Sequence, residues 1–167
     1  MLREYFQSRK TRRLFRKYLD EDAVESLMAG RLDPFQLKQG PIQVVLVAVR
    51  GDTPESISQR MGAVADIALE HGAVVDCMVS SIVVLAFGMG PQTGQLVGDR
   101  FTLTTEIMRQ MSGNAKVVHC ERHGVYGNLG SNRRLTYGFV VPGFIEMLGK
   151  LSSVQFGGST EFEQRDA

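Results

Sequence analysis

The 167-residue chain has only two cysteines, Cys77 and Cys120. Two thiols so far apart supply neither a disulfide framework nor the close ligand spacing of a zinc site, and they read as buried thiols of a reducing compartment. Excess charge is missing as well. The formal net charge is +1, which argues against nucleic-acid binding through global charge. No apolar run reaches the roughly 18 residues that a membrane-crossing helix needs, and no signal-peptide core follows Met1; the expected location is cytoplasmic. Internal repeats and low-complexity segments are absent. The three histidines, His71, His119 and His123, are spread across a helix end and a strand, and no metal site is expected of them.

What is present is a core. Hydrophobic residues make up 43% of the chain, ordinary for one globular domain or a domain with a helical appendage. Charge is lopsided near the start, where Arg3, Arg9, Lys10, Arg12, Arg13, Arg16 and Lys17 face only Glu4 and Asp20. Residues 2–19 predict a helix with an apolar stripe of Leu2, Tyr5, Phe6, Leu14, Phe15, Tyr18 and Leu19. We read this helix as a crossed or coiled pair joining two protomers, in preference to a basic helix lying on an anionic membrane surface. A second helix is expected over 21–29, ended by Gly30, and residues 31–40 read as a connector.

Residues 42–49 form a near-continuous β-branched run, the pattern of a buried central strand. Thr53 then caps a helix with Pro54 at its first position, and Ile57, Met61, Val64, Ala65, Ile67 and Ala68 give its apolar face. His71-Gly72 closes it. Strands over 73–79 and 82–87 flank Ser80-Ser81, a hairpin signal. Residues 88–97 are glycine-rich without the lysine of a phosphate loop, so a surface loop is expected. A helix over 101–111 stops at 112–114. Strands follow at 115–120, 125–129 and 135–141, with His123-Gly124 as a turn or bulge. A last helix covers 142–151, and the polar tail from Gly157 is expected to fray. Met61, Met78, Met108 and Met111 fall on core-facing positions. The order predicts an α+β, ferredoxin-like sandwich with a mostly antiparallel sheet. Its expected divisions are a helical segment over 1–40, a domain over 41–156 and a tail over 157–167.

The glycine pair of Gly127-Asn128-Leu129-Gly130-Ser131, followed by Arg134 and Tyr137, lets backbone pass close to backbone or phosphate. It stands in order with Leu14-Phe15-Arg16-Lys17-Tyr18-Leu19, with Val45-Leu46-Val47-Ala48-Val49-Arg50-Gly51-Asp52-Thr53, and with His71-Gly72-Ala73-Val74-Val75 through Ala86-Phe87-Gly88. Taken in that order, the four pieces resemble the catalytic domain of class III adenylate and guanylate cyclases, preceded by a transducer-like helix. The resemblance covers about residues 13–151.

That family joins the 3′-hydroxyl of a nucleoside triphosphate to its own α-phosphate, using two divalent metals. Magnesium takes one or two protein carboxylates plus phosphate oxygens. The resemblance places the metal aspartates at Ala48 and Ser81, the base-selecting pair at Cys77 and Gly138, and the transition-state asparagine and arginine at Ile145 and Gly149. A one-residue slip puts Glu146 and Lys150 there instead; Lys150 keeps a charge but lacks arginine's planar fork. Asp52 lies four residues past Ala48, roughly 13 Å along an extended chain, and Asp76 lies outside the hairpin turn. Neither is expected to restore a metal site. The family builds its site between two domains, and this chain lacks both contributions.

The preferred expectation is a non-catalytic cyclase-homology domain: a homodimer acting in signalling, with no cofactor, dimerising in part through Leu14, Phe15, Tyr18 and Leu19. A cleft near Gly51, Asp52, Thr53 and Cys77 is the candidate for a nucleotide or other small molecule, although capping alone accounts for Thr53. Two alternatives stay open. One is a divergent active cyclase using Mg or Mn; the other is an unrelated ferredoxin-like binding module.

Overall fold

The computed structural model describes residues 29, 37–89, 98–129 and 137–163. The expected helices over 2–19 and 21–29, with Leu14, Phe15, Tyr18 and Leu19, therefore lie outside the described residues, as do Gly130, Ser131, Arg134 and the loop over 90–97. Within them the order is β1 (Lys38–Val49), α1 (Pro54–Glu70), β2 (Val74–Val79), β3 (Ile82–Phe87), α2 (Arg100–Met111), β4 (Ala115–Asn128), β5 (Tyr137–Val140), α3 (Phe144–Ser153) and β6 (Ser159–Glu161).

The six strands form one mixed sheet in the order β2-β3-β1-β4-β5, with β6 pairing parallel to β4. The expected α+β sandwich is what the chain builds. β1 is its centre, antiparallel to β3 on one side and β4 on the other. Residues 42–49 are all buried, because both faces of β1 are covered. Val45, Val47 and Val49 face α1 and α2 with Val64, Ile67, Leu103 and Ile107. Ile42, Val44, Leu46 and Ala48 face α3 with Met147 and Leu151. A strand covered twice reads as an unbroken apolar run rather than an alternating one.

Local signals fix the ends. Thr53 Oγ1 accepts from the Ser56 backbone N–H at 3.2 Å, and Ser56 Oγ accepts from the Thr53 N–H at 3.2 Å, a reciprocal cap that starts α1. Asp99 caps α2 by accepting from the Phe101 and Thr102 N–H groups. Ser80, in the left-handed region at φ 57°, turns the chain between Val79 and Ile82, which pair directly.

Four expectations need correction. β4 is one strand of 14 residues with no break at His123-Gly124; β1 begins at Lys38 and supplies Pro41 and Gly40 as their partners. The tail does not simply fray. Ser159–Glu161 pairs with Val117–His119 along β4, and Arg100 holds Glu161 in an ion pair while also reaching Glu121 at 3.3 Å. Met78 is 45% exposed rather than in the core, since β2 is an edge strand with a register shift between Val75 and Cys77. That same shift leaves Cys77 exposed, while Cys120 is buried as expected. No described helix is long and apolar enough to cross a membrane.

Two consequences are measurable. Leu85 is fully buried in the α1/α2 core, so Leu85→Ala is expected to cost about 2–5 kcal/mol in urea unfolding. His119 is buried under the Phe101 ring, their centroids 5.1 Å apart. Burial, then the neighbouring Arg100, lowers its pKa below 6.5. The unfolded chain then binds the proton more readily, so this stabilisation is present above about pH 6.5 and lost on acidification. His119→Leu should gain on the wild type in Tm as pH falls from 7 to 5; a constant difference contradicts this.

Candidate functional site

The end of β1 and the β2–β3 turn meet. Ala48 pairs with Ile82 at the start of β3, and the Val49 N–H donates to the Ser81 carbonyl at 2.9 Å. Ala48 and Ser81, far apart in sequence, are thus neighbours in the fold. A methyl group and a neutral hydroxyl are what they offer. Among the described residues, no cluster of three His, Cys, Asp or Glu side chains is placed to hold a metal ion.

Gly51, Asp52 and Thr53 follow at the exit of β1. A β-carbon on Gly51 would sit 2.2 Å from Ser56 Oγ and 3.0 Å from the Ile57 backbone nitrogen, so glycine is what lets α1 start against the strand end. The Thr53 hydroxyl is occupied by the cap. Asp52 is exposed and makes no ion pair among the described residues.

The second meeting place joins the two edges of the sheet. β2 and β5 lie at opposite ends of the strand order, yet a β-carbon on Gly138 would sit 2.9 Å from Asp76 Oδ1 and 3.6 Å from the Leu129 side chain. Sheet twist and curl bring such edges together. Cys77 and Gly138 were the expected pair here; the side chain that reaches Gly138 is Asp76. The cause is the bulge. Val75 pairs with Leu85 and Cys77 with Val84, leaving Asp76 as the extra residue, and a bulge re-aims a side chain in this way.

Asp76 is a partly buried carboxyl without a cationic partner among the described residues. Burial pushes its pKa above 3.8, with a hydrogen bond involving Cys77 working against the rise. Cys77 is exposed as a whole residue, yet partial desolvation of its thiol and then the Asp76 charge push its pKa above 9.0, which makes it a poor nucleophile. The arrangement suits recognition of a hydrogen-bond donor more than bond making. On sequence alone Asp76 is weighed only as a metal ligand and set aside, and Cys77 is named for this position. The signal was there: one acid in the strand Val-Val-Asp-Cys-Met-Val.

The α3 candidates are not brought to either place by packing. α3 packs through Met147 and Leu151, so Ile145 (74% exposed) and Gly149 lie on its outer side, with Glu146 and Lys150 also exposed. Nothing stands within 4 Å of a β-carbon built on Gly149. Gly127 and Asn128 close the end of β4 against Gly138 and Tyr137.

No protein-family model and no curated protein sequence matches the chain. Its fold is that of solved nucleotide cyclase domains. It superposes on the adenylyl cyclase CyaB from P. aeruginosa with a TM-score of 0.63 at 14% identity, covering 76% of this chain and 79% of that one. The guanylyl cyclase Cya2 gives 0.53 at 20% identity, with 74% and 75% covered. A non-canonical dimeric guanylyl cyclase domain of the RhoGC fusion protein from the aquatic fungus Blastocladiella emersonii gives 0.60 at 11% identity, with 75% and 81% covered.

The Asp76–Gly138 contact makes two predictions. An NMR titration should place the Asp76 pKa above 3.8. A raised carboxyl pKa means the folded state binds the proton more tightly, so stability falls as pH rises through that pKa, and Asp76→Asn removes the fall. Gly138→Ala should destabilise the protein, and about 0.5–3 kcal/mol of that loss should disappear in an Asp76→Ala background; additive losses contradict the contact.

Proposed function

We propose that this chain is a non-catalytic cyclase-homology domain that works as a dimeric module in intracellular signalling, with the space around Asp76 and Gly138 retained for a small molecule. The cyclase-type fold supports a signalling role of this kind. The observation that carries the non-catalytic reading is the chemistry at Ala48 and Ser81. The resemblance gives these positions to metal-binding aspartates, and they lie side by side without a carboxylate.

Physical chemistry sets the consequence. A triphosphate carries charge that two divalent ions neutralise and orient during cyclisation. An alanine methyl group cannot ligate magnesium, and a lone hydroxyl lacks the charge that makes carboxylates its usual protein ligands. Ile145 and Gly149 likewise offer no donor to a transition-state phosphate; the one-residue slip would bring the Lys150 ammonium instead, but it would not restore the metals. We therefore assign the site no metal cofactor. The dimer reading is supported by the dimeric fungal domain of the same fold. Its contacts are proposed to include the segment with Leu14, Phe15, Tyr18 and Leu19.

The test is direct. Purified protein with ATP or GTP and either Mg or Mn should make no cyclic AMP or cyclic GMP above a protein-free blank, while light scattering should return twice the chain mass. Product formation that scales with protein concentration favours the divergent active cyclase instead.

A further inference from the structure

Just past the last residue of β1, positive charge gathers without an ion pair among the described residues, and the nearby Asp52 makes none. The Arg50 guanidinium carbon lies 5.0 Å from the centre of the Phe156 ring, and its Nε donates to Asn114 Oδ1 at 3.4 Å. Lys116 is the β4 partner of Ala48 in the ladder. Its Nζ lies 5.1 Å from the same ring and donates to the Ser152 carbonyl at 3.2 Å. The two charges are therefore no more than about 10 Å apart. Arg60, from α1, donates to the Arg50 carbonyl. Arg50, just past β1, and Lys116, from β4, thus share one ring at this corner of the sheet, and Arg60 ties α1 to the Arg50 backbone.

The ring between two of them is held firmly. The Gly157 N–H donates to the Ala115 carbonyl at 2.8 Å and the Gly158 N–H to the Gln155 carbonyl at 3.0 Å, tying the turn that carries Phe156 to the start of β4. None of the three cations has a carboxylate within ion-pair reach among the described residues; the ion pairs found there involve Arg100 and Arg109. Two Nη groups of Arg50 and two protons of Lys116 keep hydrogen-bonding capacity. Like charges brought together repel one another, and a planar guanidinium fork beside an ammonium group suits a multiply charged oxyanion. The first turn of α1 is not the receptor, because Thr53 and Ser56 already cap it.

We propose that Arg50 and Lys116 bind a phosphate group directly, with no divalent ion, using the Phe156 ring as the platform that holds them in place. The phosphate belongs either to a small soluble molecule or to a lipid headgroup. The proposal stands whether or not a ligand occupies the space around Asp76.

The probes are inorganic pyrophosphate, followed by calorimetry in EDTA, and phosphatidylcholine vesicles with and without phosphatidylinositol phosphate, followed by flotation. At least one should bind the full chain without metal. Arg50→Met and Lys116→Met should each weaken it by about tenfold or more, with Lys38→Met, at the far end of β1, leaving it unchanged. Pyrophosphate heat identifies a soluble ligand, and flotation alone identifies a headgroup. Binding of neither probe, binding that needs added magnesium, or binding that survives both variants overturns the proposal. Thermal melts check that each variant is folded. Should one not fold, wild-type affinity must still drop steeply between 50 and 200 mM salt, and salt-independent binding overturns the proposal. Cyclic-nucleotide formation, by contrast, would contradict the non-catalytic reading and leave this site standing.

Discussion

Burial of β1 on both faces is the constraint on which the other features rest. Eight successive residues, 42–49, are withdrawn from water, and every backbone polar group in that stretch must then find a partner on β3 or β4. This fixes the register of three strands at once. It delivers Ala48 to Ile82 and Lys116, and Val49 to the Ser81 carbonyl, whatever those side chains do chemically. A fold held in this way can keep its frame while the side chains at its working corner change. Fold and activity are then separable properties of the same strand.

Around that frame, charge is distributed in an uneven and informative manner. On the α1/α2 face, Arg100 is buried and balanced by Glu121 and Glu161, with Gln43 bridging between Glu121 Oε2 and the Arg100 backbone N–H. Burying a charge without such partners is costly, and the network also ties β6 to the body of the domain. Among the described residues, Asp76 at the sheet edges is a carboxyl without an ion-paired cation, and Arg50 and Lys116 at the exit of β1 are cations without an ion-paired carboxylate. The balanced cluster is accounted for by folding alone. The two unbalanced ones are where ligands with the missing charge or donor would add stability.

Much of this was legible in the sequence, for physical reasons. The apolar run of 42–49 could only be a doubly covered strand, and Thr53-Pro54 announced the start of α1. The Ser80-Ser81 hairpin followed from two apolar strands with one polar step between them. What escaped depended on partners rather than on local pattern. His123-Gly124 looks like a break until β1 is known to extend back to Lys38. Ser159–Glu161 looks like tail until Arg100 is seen to hold Glu161. Met78 and Cys77 follow the strand alternation, but they lie beyond the bulge at Asp76 on an edge strand, and both are exposed there. A periodic pattern carries no record of a register shift, and that shift also hid Asp76 from the candidate site.

Under the proposed non-catalytic reading, the chain holds no divalent ions around Ala48 and Ser81. Titration of the full chain with manganese in the presence of ATP or GTP, followed by electron paramagnetic resonance, tests it most directly. The account predicts that the Mn signal stays that of a protein-free manganese–nucleotide solution. Stoichiometric conversion of that signal to protein-bound manganese, abolished by replacing Asp52 or Asp76, would contradict it.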